Sequence, residues 1–416
     1  MKKSLVLWFL LLAMLLNLTG CGTTVHTSSP STSGDISATD GEPLDLLSAI
    51  IRQSSQEKPA TPALSGSMAD FSLALLQSSY RSGENTILSP YSMYLTLAMT
   101  ANGAAGDTRS QMESILGMSV EELNLYALNL QTTNNAEVTT ANSIWLRDSF
   151  SPLETYLQTL KDHYDPQVYS VPFDPETLNT MNRWIETHTN GRITNALDRM
   201  DANVMLYLIN TLTFDASWKT LYTTQDITPQ TFYGTNGEQV VEMMTSTENR
   251  FLYDGKATGF LKSYENERYS FMALLPNEGI SLESYLSSLS GDQLVQMIQT
   301  AESTKVVATM PKVQLETAVE MKDVLTSMGM VDAFTMNADL SGINGEQDLY
   351  ISRILHKTYL QVDEAGTQAG AVTIEEIVSK GVVLNQEYVF LNRPYLMGIY
   401  DHANDCFLFL GTVENP

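Results

Sequence analysis

The chain has 416 residues, 43% of them hydrophobic and 17% charged, a composition that supplies a large folded core and excludes a disordered or fibrous chain. The 48 acidic against 23 basic side chains give a formal net charge of -25, which repels a polyanion on approach and sets nucleic-acid binding aside. Two cysteines, Cys21 and Cys406, exclude a disulfide framework and a thiolate zinc cluster.

At the start, Lys2 and Lys3 precede an apolar run from Leu5 to Leu16, shorter than the ~20 residues of a membrane-spanning helix. Leu18-Thr19-Gly20-Cys21 follows at once and resembles a bacterial lipobox. The resemblance implies a lipoprotein signal peptide at 1–20, a diacylglycerol on the Cys21 thiol, and attachment to a membrane. Cys406 then has no partner and is expected to be a small buried apolar residue. Residues 21–63 are rich in Ser, Thr, Gly, Pro and Ala and read as a flexible tether. Leu44, Leu46, Leu47, Ile50 and Ile51 are spaced for a short helix within it.

No second linker of that kind follows, so residues 64–416 form one large domain. Met68, Phe71 and Leu75 keep helical spacing, and Ser89-Pro90 opens a second helix reaching about Asn102. Thr108 and Gln111 have the spacing of a capping box after the Gly103 to Gly106 break. Leu178, Met181, Trp184 and Ile185 mark another helix. Strands are predicted at Val204–Phe214, Val240–Met244, Tyr269–Leu275, Lys305–Leu315, Leu349–Val362 and in a C-terminal pair ending at Val413. Helices early and strands late favour an α+β fold.

Motifs of enzyme chemistry are missing: the sequence has no G-x-S-x-G elbow, H-E-x-x-H helix, Walker loop or G-x-G-x-x-G turn. His26, His163, His188, His356 and His402 contain no pair at local metal-ligand spacing, so no metal or cofactor is expected. Gly103-Ala104-Ala105-Gly106 has no lysine beside it and reads as a tight inter-helix turn rather than a phosphate loop.

Asn85-Thr-Ile-Leu-Ser-Pro-Tyr-Ser-Met-Tyr-Leu-Thr-Leu-Ala-Met99 with Gly103-Ala-Ala-Gly-Asp-Thr-Arg-Ser-Gln-Met112 resembles the opening signature of the serpins. Asn182, Trp184, Thr189, Gly191 and Ile193 follow, as do Leu208 to Trp218, Met310-Pro-Lys312, Met328 to Phe334, Ala338 to Ile343 and Phe409 to Pro416. All stand in family order over about 350 residues. The resemblance implies three β-sheets, eight or nine helices and an exposed reactive loop near the C-terminus. The implied partner is a protease, met by a monomer.

Inhibitory family members carry a hinge that enters the middle of a sheet after cleavage. Here it spans Gly366, Thr367, Gln368, Ala369, Gly370, Ala371, Val372 and Thr373. Side chains alternate faces along a strand, so Thr367, Ala369, Ala371 and Thr373 share one, and all are compact. Glu375 falls on that same face. Counting from Gly366 as in typical members, the cut falls between Lys380 and Gly381, which suits a trypsin-like protease. Cleavage near Val383 or Leu384 by an elastase-like or chymotrypsin-like protease is the alternative. Ser89, Ser92, Asn210 and His356 resemble the family's shutter, and Trp218, Lys312 and Glu364 its breach, with Lys312 and Glu364 as an ion pair. Leu221-Tyr222 stands where members usually have Pro-Phe. A non-inhibitory serpin-fold binding or adhesion protein is the alternative function.

Overall fold

The computed structural model describes residues 43–53, 63–133, 136–200, 204–367 and 386–416. The first half is mostly helical. Helix α1 (Ala63–Ser79) leads to strand β1 (Thr86–Leu88) and helix α2 (Pro90–Ala101). Helices α3 (Gly106–Leu116) and α4 (Val120–Thr133) follow, then strand β2 (Val138–Arg147), helix α5 (Glu154–His163), strand β3 (Gln167–Val171) and helix α6 (Pro175–His188). Two helix starts are set by side-chain caps with proline in the first turn: Ser89 Oγ accepts from the Ser92 N–H at 3.2 Å, and Asp174 Oδ1 from the Thr177 N–H at 2.8 Å.

The second half is mostly strand: β4 (Leu206–Phe214), β5 (Ala216–Ser217), β6 (Ile227–Gly234), β7 (Gly237–Glu248), β8 (Phe251–Tyr253), β9 (Ala257–Ser263) and β10 (Tyr269–Pro276). After α7 (Leu282–Leu286) and α8 (Gly291–Gln299) come β11 (Lys305–Pro311), β12 (Val313–Glu320), α9 (Met321–Met328) and α10 (Ser341–Asn344). The chain closes with β13 (Leu355–Val362), β14 (Gly366–Thr367), β15 (Gln386–Phe390), β16 (Tyr395–Asp401) and β17 (Cys406–Val413). The described residues thus hold ten α-helices, of which α7 and α10 are single turns of five and four residues.

Several local expectations change. Helix α3 begins at Gly106 without a side-chain cap. Thr108 Oγ1 instead accepts from the Asp339 N–H, and Gln111 Oε1 from the Val331 and Asp332 N–H groups, each at 2.9 Å. Tertiary partners took both groups that the spacing assigns to a capping box. The strand predicted over Lys305–Leu315 is two strands divided at Lys312, and β13 begins only at Leu355. The tether, read from sequence as far as residue 63, is interrupted where residues 43–53 lie on the domain. Leu46 donates its N–H to Val168 O at 2.7 Å, Asp45 Oδ1 accepts from the Leu47 and Val168 N–H groups, and Leu47 is buried. Residues 46–49 form turns rather than a helix; burial of Leu47, worth about 2 kcal/mol, and pairing with β3 outweigh a local helix.

Six strands in the order β1-β17-β16-β10-β9-β8 form one sheet, and β15-β11-β7-β6 a second. The remaining strands form three ladders, β3-β2-β4, β12-β13 and the two-residue β14-β5. Strands β4 and β13 face each other across a seam that no backbone ladder bridges among the described residues. Helix α6 packs over this seam through a small core of Trp145, Met181, Trp184, Ile185 and Tyr207, with Leu355 and Tyr359 of β13 packed against it.

Candidate functional site

The site begins where β13 turns back on itself. Asp363 donates its N–H to Gly366 O at 3.0 Å, and Asp363 Oδ1 accepts from the Ala365 N–H at 2.9 Å. Strand β14 then runs antiparallel to β5, with Gly366 opposite Ser217 and Thr367 opposite Ala216. Gly366 has φ +151, and a Cβ there would lie 2.1 Å from Ala216 O, so only glycine lets the two backbones meet.

Trp218, itself buried, pins the turn. Its backbone N–H donates to Ala365 O at 3.0 Å and its indole N–H to Asp363 O at 2.8 Å. Lys312 Nζ lies 2.9 Å from Glu364 Oε2 and 3.0 Å from Glu242 Oε2. The Lys312 ammonium holds the Glu364 carboxyl below the ordinary carboxylate range. The three breach residues read from sequence therefore meet around one four-residue turn. Tyr222, in the place of the family's Phe, is buried, with its N–H on Glu364 O at 3.2 Å and its hydroxyl 3.2 Å from Ser246 Oγ.

Thr367 is buried, 1% exposed, with Oγ1 2.6 Å from the Tyr264 hydroxyl. Tyr264 stacks on Trp218 at 4.5 Å between ring centroids. Beneath Trp218 lies Lys262, itself 1% exposed, bonded to Glu248 Oε1 at 2.9 Å and to Thr220 O at 3.1 Å, with its ammonium 4.4 Å from the Tyr222 ring. A buried ammonium needs these partners, since an unpaired one would cost several kcal/mol. Lys262 and Tyr264 escape sequence reasoning because they stand on β9 and just beyond it, more than forty residues from Trp218, with no spacing rule joining them.

Ser89, Ser92 and His356 do come together. The Ser89 N–H donates to His356 Nε2 at 3.0 Å, and Thr358 Oγ1 lies 3.0 Å from the same nitrogen. Burial pushes the His356 pKa down to about 4. Asn210 does not join this group. Its amide donates across the β2–β4 ladder to Asn142 Oδ1, and its own Oδ1 is buried without a partner among the described residues. The reason is the unladdered seam, which leaves Asn210 on one bank and His356 on the other. Two small voids run along that seam. One of about 10 Å³ is lined by Leu212, Phe214, Tyr359, Gln361 and Thr367, and one of about 40 Å³ by Ile209, Asn210, Leu355 and Lys357. Such volumes hold water, not a peptide strand, so entry of a strand requires β4 and β13 to move apart.

Gln368, Ala369, Gly370, Ala371, Val372, Thr373, Glu375, Lys380 and Gly381 lie outside the described residues, as does Cys21. Cys406 is buried in β17, where burial pushes its thiol pKa up.

The family model described as Serpin (serine protease inhibitor) matches residues 66–416. The chain belongs to the serpin family. Serpins are in general inhibitors of proteases rather than catalysts. Among relatives, intracellular coagulation inhibitor 2 of Tachypleus tridentatus is 29% identical over 83% of this chain and 89% of its own. The crystal structure of the thermophilic serpin tengpin in the native state superposes with a TM-score of 0.86 at 38% identity, covering 90% of this chain and 100% of tengpin. Tengpin in the latent state gives 0.77 at 36% identity over 86% and 100%. This serpin is thus more similar to a native than to a latent relative.

Proposed function

We propose that this serpin is a suicide-substrate inhibitor of trypsin-like serine proteases, cut between Lys380 and Gly381. The protease serine Oγ attacks the Lys380 carbonyl carbon; the bond to the Gly381 nitrogen breaks, that nitrogen leaves as an amine, and an ester joins Lys380 to the enzyme. Water would hydrolyse the ester unless the freed loop enters the seam between β4 and β13 first. The 14 steps from Gly366 to Lys380 span about 46 Å as a strand, so insertion carries the tethered protease to the far end of the domain and distorts its active site. Burial and ladder hydrogen bonds left unmade along the seam drive the step.

The observation that carries this reading is the unladdered seam between β4 and β13, with Thr367 at its head. The test is a denaturing gel after mixing with a panel of serine proteases. A covalent complex that survives boiling in detergent supports inhibition, whereas cleavage without complex by every protease that cuts the loop leaves a serpin-fold binding or adhesion protein. Sequencing the released C-terminal peptide fixes the bond: a start at Gly381 supports Lys380, and a start at Leu384 or Asn385 assigns the cut to an elastase-like or chymotrypsin-like protease.

The same proposal places the monomeric domain at a cell envelope, facing the exterior or periplasm, held by a lipid on Cys21 behind the signal peptide. Cys21→Ala is expected to move the protein out of the detergent-rich phase without altering the domain, and an unmodified mature Cys21 by mass spectrometry overturns it.

A further inference from the structure

Thr367 is seated in the sheet of the uncleaved chain. It pairs with Ala216, is 1% exposed, and meets the Tyr264 hydroxyl at 2.6 Å. The Tyr264 ring has little freedom to follow a moving partner. It is fully buried, stacked on Trp218 with an interplanar angle of 17° and set edge-on to Phe214 with centroids 4.9 Å apart. Its hydroxyl therefore marks a fixed point at the head of the seam. Directly below, the void of about 10 Å³ lies between Leu212 to Phe214 of β4 and Tyr359 to Gln361 of β13, which is where the next inward side chain of a growing strand must go.

We infer that Tyr264 is a positioning residue for loop insertion, holding the first hinge side chain, Thr367, in the sheet before any cut is made. Its consequence for inhibition rests on the proposed function. A strand whose end is already seated has only to extend downward, whereas an unseated hinge must first find its entry while water competes for the acyl-enzyme. Without the Tyr264 hydroxyl, Thr367 Oγ1 would be left buried and unsatisfied, which favours the unseated hinge. With neither hydroxyl present, the contact is apolar on both sides and the seat is restored.

The experiment is hydrogen exchange read by mass spectrometry on the uncleaved full chain, over peptides covering Ala216–Trp218 and Glu364–Thr367. Four proteins are compared: wild type, Tyr264→Phe, Thr367→Val, and the double variant. Wild type is expected to be protected at both peptides. Each single variant should lose about tenfold in protection there, with β16 and β17 unchanged, and the double variant should regain most of it. The number of inhibitor molecules consumed per protease should rise in each single variant and fall back in the double. Loop-like exchange in wild type, single variants as protected as wild type, or losses that add in the double variant would overturn the inference. The exchange comparison needs no protease, so it stands or falls separately from the inhibitory reading.

Discussion

Strands β16 and β17 each have ladder partners on both sides and bury every residue, from Tyr395 to Asp401 and from Cys406 to Val413. Among the described residues, β4 and β13 each have a full-length ladder on one side only, to β2 and β12; burial alternates strictly along β13, and β4 mixes buried with half-exposed positions. One chain thus builds a closed sheet and an open seam from similar residue types. Within that sheet β16 and β17 have a strand on each side, so neither presents an edge to an incoming strand. Across the seam, among the described residues, two edges face each other unmatched, Asn210 Oδ1 has no partner, and small voids remain. An edge of this kind is ordinarily a liability that attracts another strand. Under the proposed function, the segment that follows Thr367 would enter this seam once the loop is cut.

The largest effect should come from closing the head of the seam to the hinge. Thr367→Arg asks a guanidinium to enter a site that is 1% exposed. An unpaired buried charge costs about 3–5 kcal/mol, so the hinge leaves the sheet and insertion slows by more than about a hundredfold. The variant should become a plain substrate while its urea midpoint stays near the wild-type value; unchanged trapping would remove Thr367 from the hinge. Glu375 shares the inserting face by the period of two, and Glu375→Leu is expected to lower the number of inhibitor molecules consumed per protease.

Leu410→Ala tests the other region. Leu410 is fully buried in β17, opposite Gly398 and Leu88, and its truncation should cost about 2–5 kcal/mol, seen as a lowered urea midpoint. That sheet is complete before and after insertion, so the loss should cancel in the insertion step and leave inhibitor consumption unchanged. A rise in consumption would mean that the two regions are coupled.

This contrast was only partly legible in the sequence. Long strands and capped helices could be read because their signals are local: Ser89 before Pro90, or the continuous apolar run from Val204 to Ile209. The breach residues Trp218, Lys312 and Glu364 emerged from motif resemblance, and the structure brings them to one turn. What could not be read is pairing at a distance. Tyr264 reaches Thr367 across 103 positions, and the Thr108 and Gln111 side chains, spaced for a helix cap, bind the segment from Val331 to Asp339 instead. The seam itself is an absence of pairing, which no residue pattern announces. The docked segment at Leu47 was hidden by its polar neighbours, whose composition is that of a tether.

An intermediate effect is expected from pH. His356 is buried and accepts the Ser89 N–H, and burial holds its pKa near 4 against an ordinary 6.5. The folded state therefore prefers the neutral ring. Its stability is full above pH 6.5, declines as the unfolded chain takes up the proton, and loses about 3 kcal/mol in total once pH falls through 4. Protonation would also turn the Nε2 acceptor into a donor facing the Ser89 N–H, weakening the bank of the seam from which the helix α2 cap is held. Thermal unfolding midpoints between pH 7 and 4 should fall more steeply in wild type than in His356→Gln, whose amide accepts a hydrogen bond without titrating. Parallel pH profiles would show that His356 does not report the seam.

The smallest effect is expected at the Lys312 pair, and it separates holding the turn from holding the fold. Lys312 binds both Glu364 and Glu242, but its side chain is 26% exposed and those of the carboxylates are 45% and 61% exposed. Solvent screens such pairs, so Lys312→Met should cost no more than about 1 kcal/mol of global stability. The turn from Asp363 to Gly366 keeps its Trp218 bonds and its own Asp363 contacts, which do not depend on the ion pair. Exchange at Ala365 should therefore rise no more than a few-fold, and Thr367, held by Tyr264 and β5, should stay protected. Adding 1 M salt should reproduce this in the wild type, because the Debye length shrinks to about 3 Å. If Lys312→Met instead releases Thr367 as fully as Tyr264→Phe, the charge pair is what seats the hinge, and the division between an electrostatic outer brace and a hydrogen-bonded inner seat is wrong.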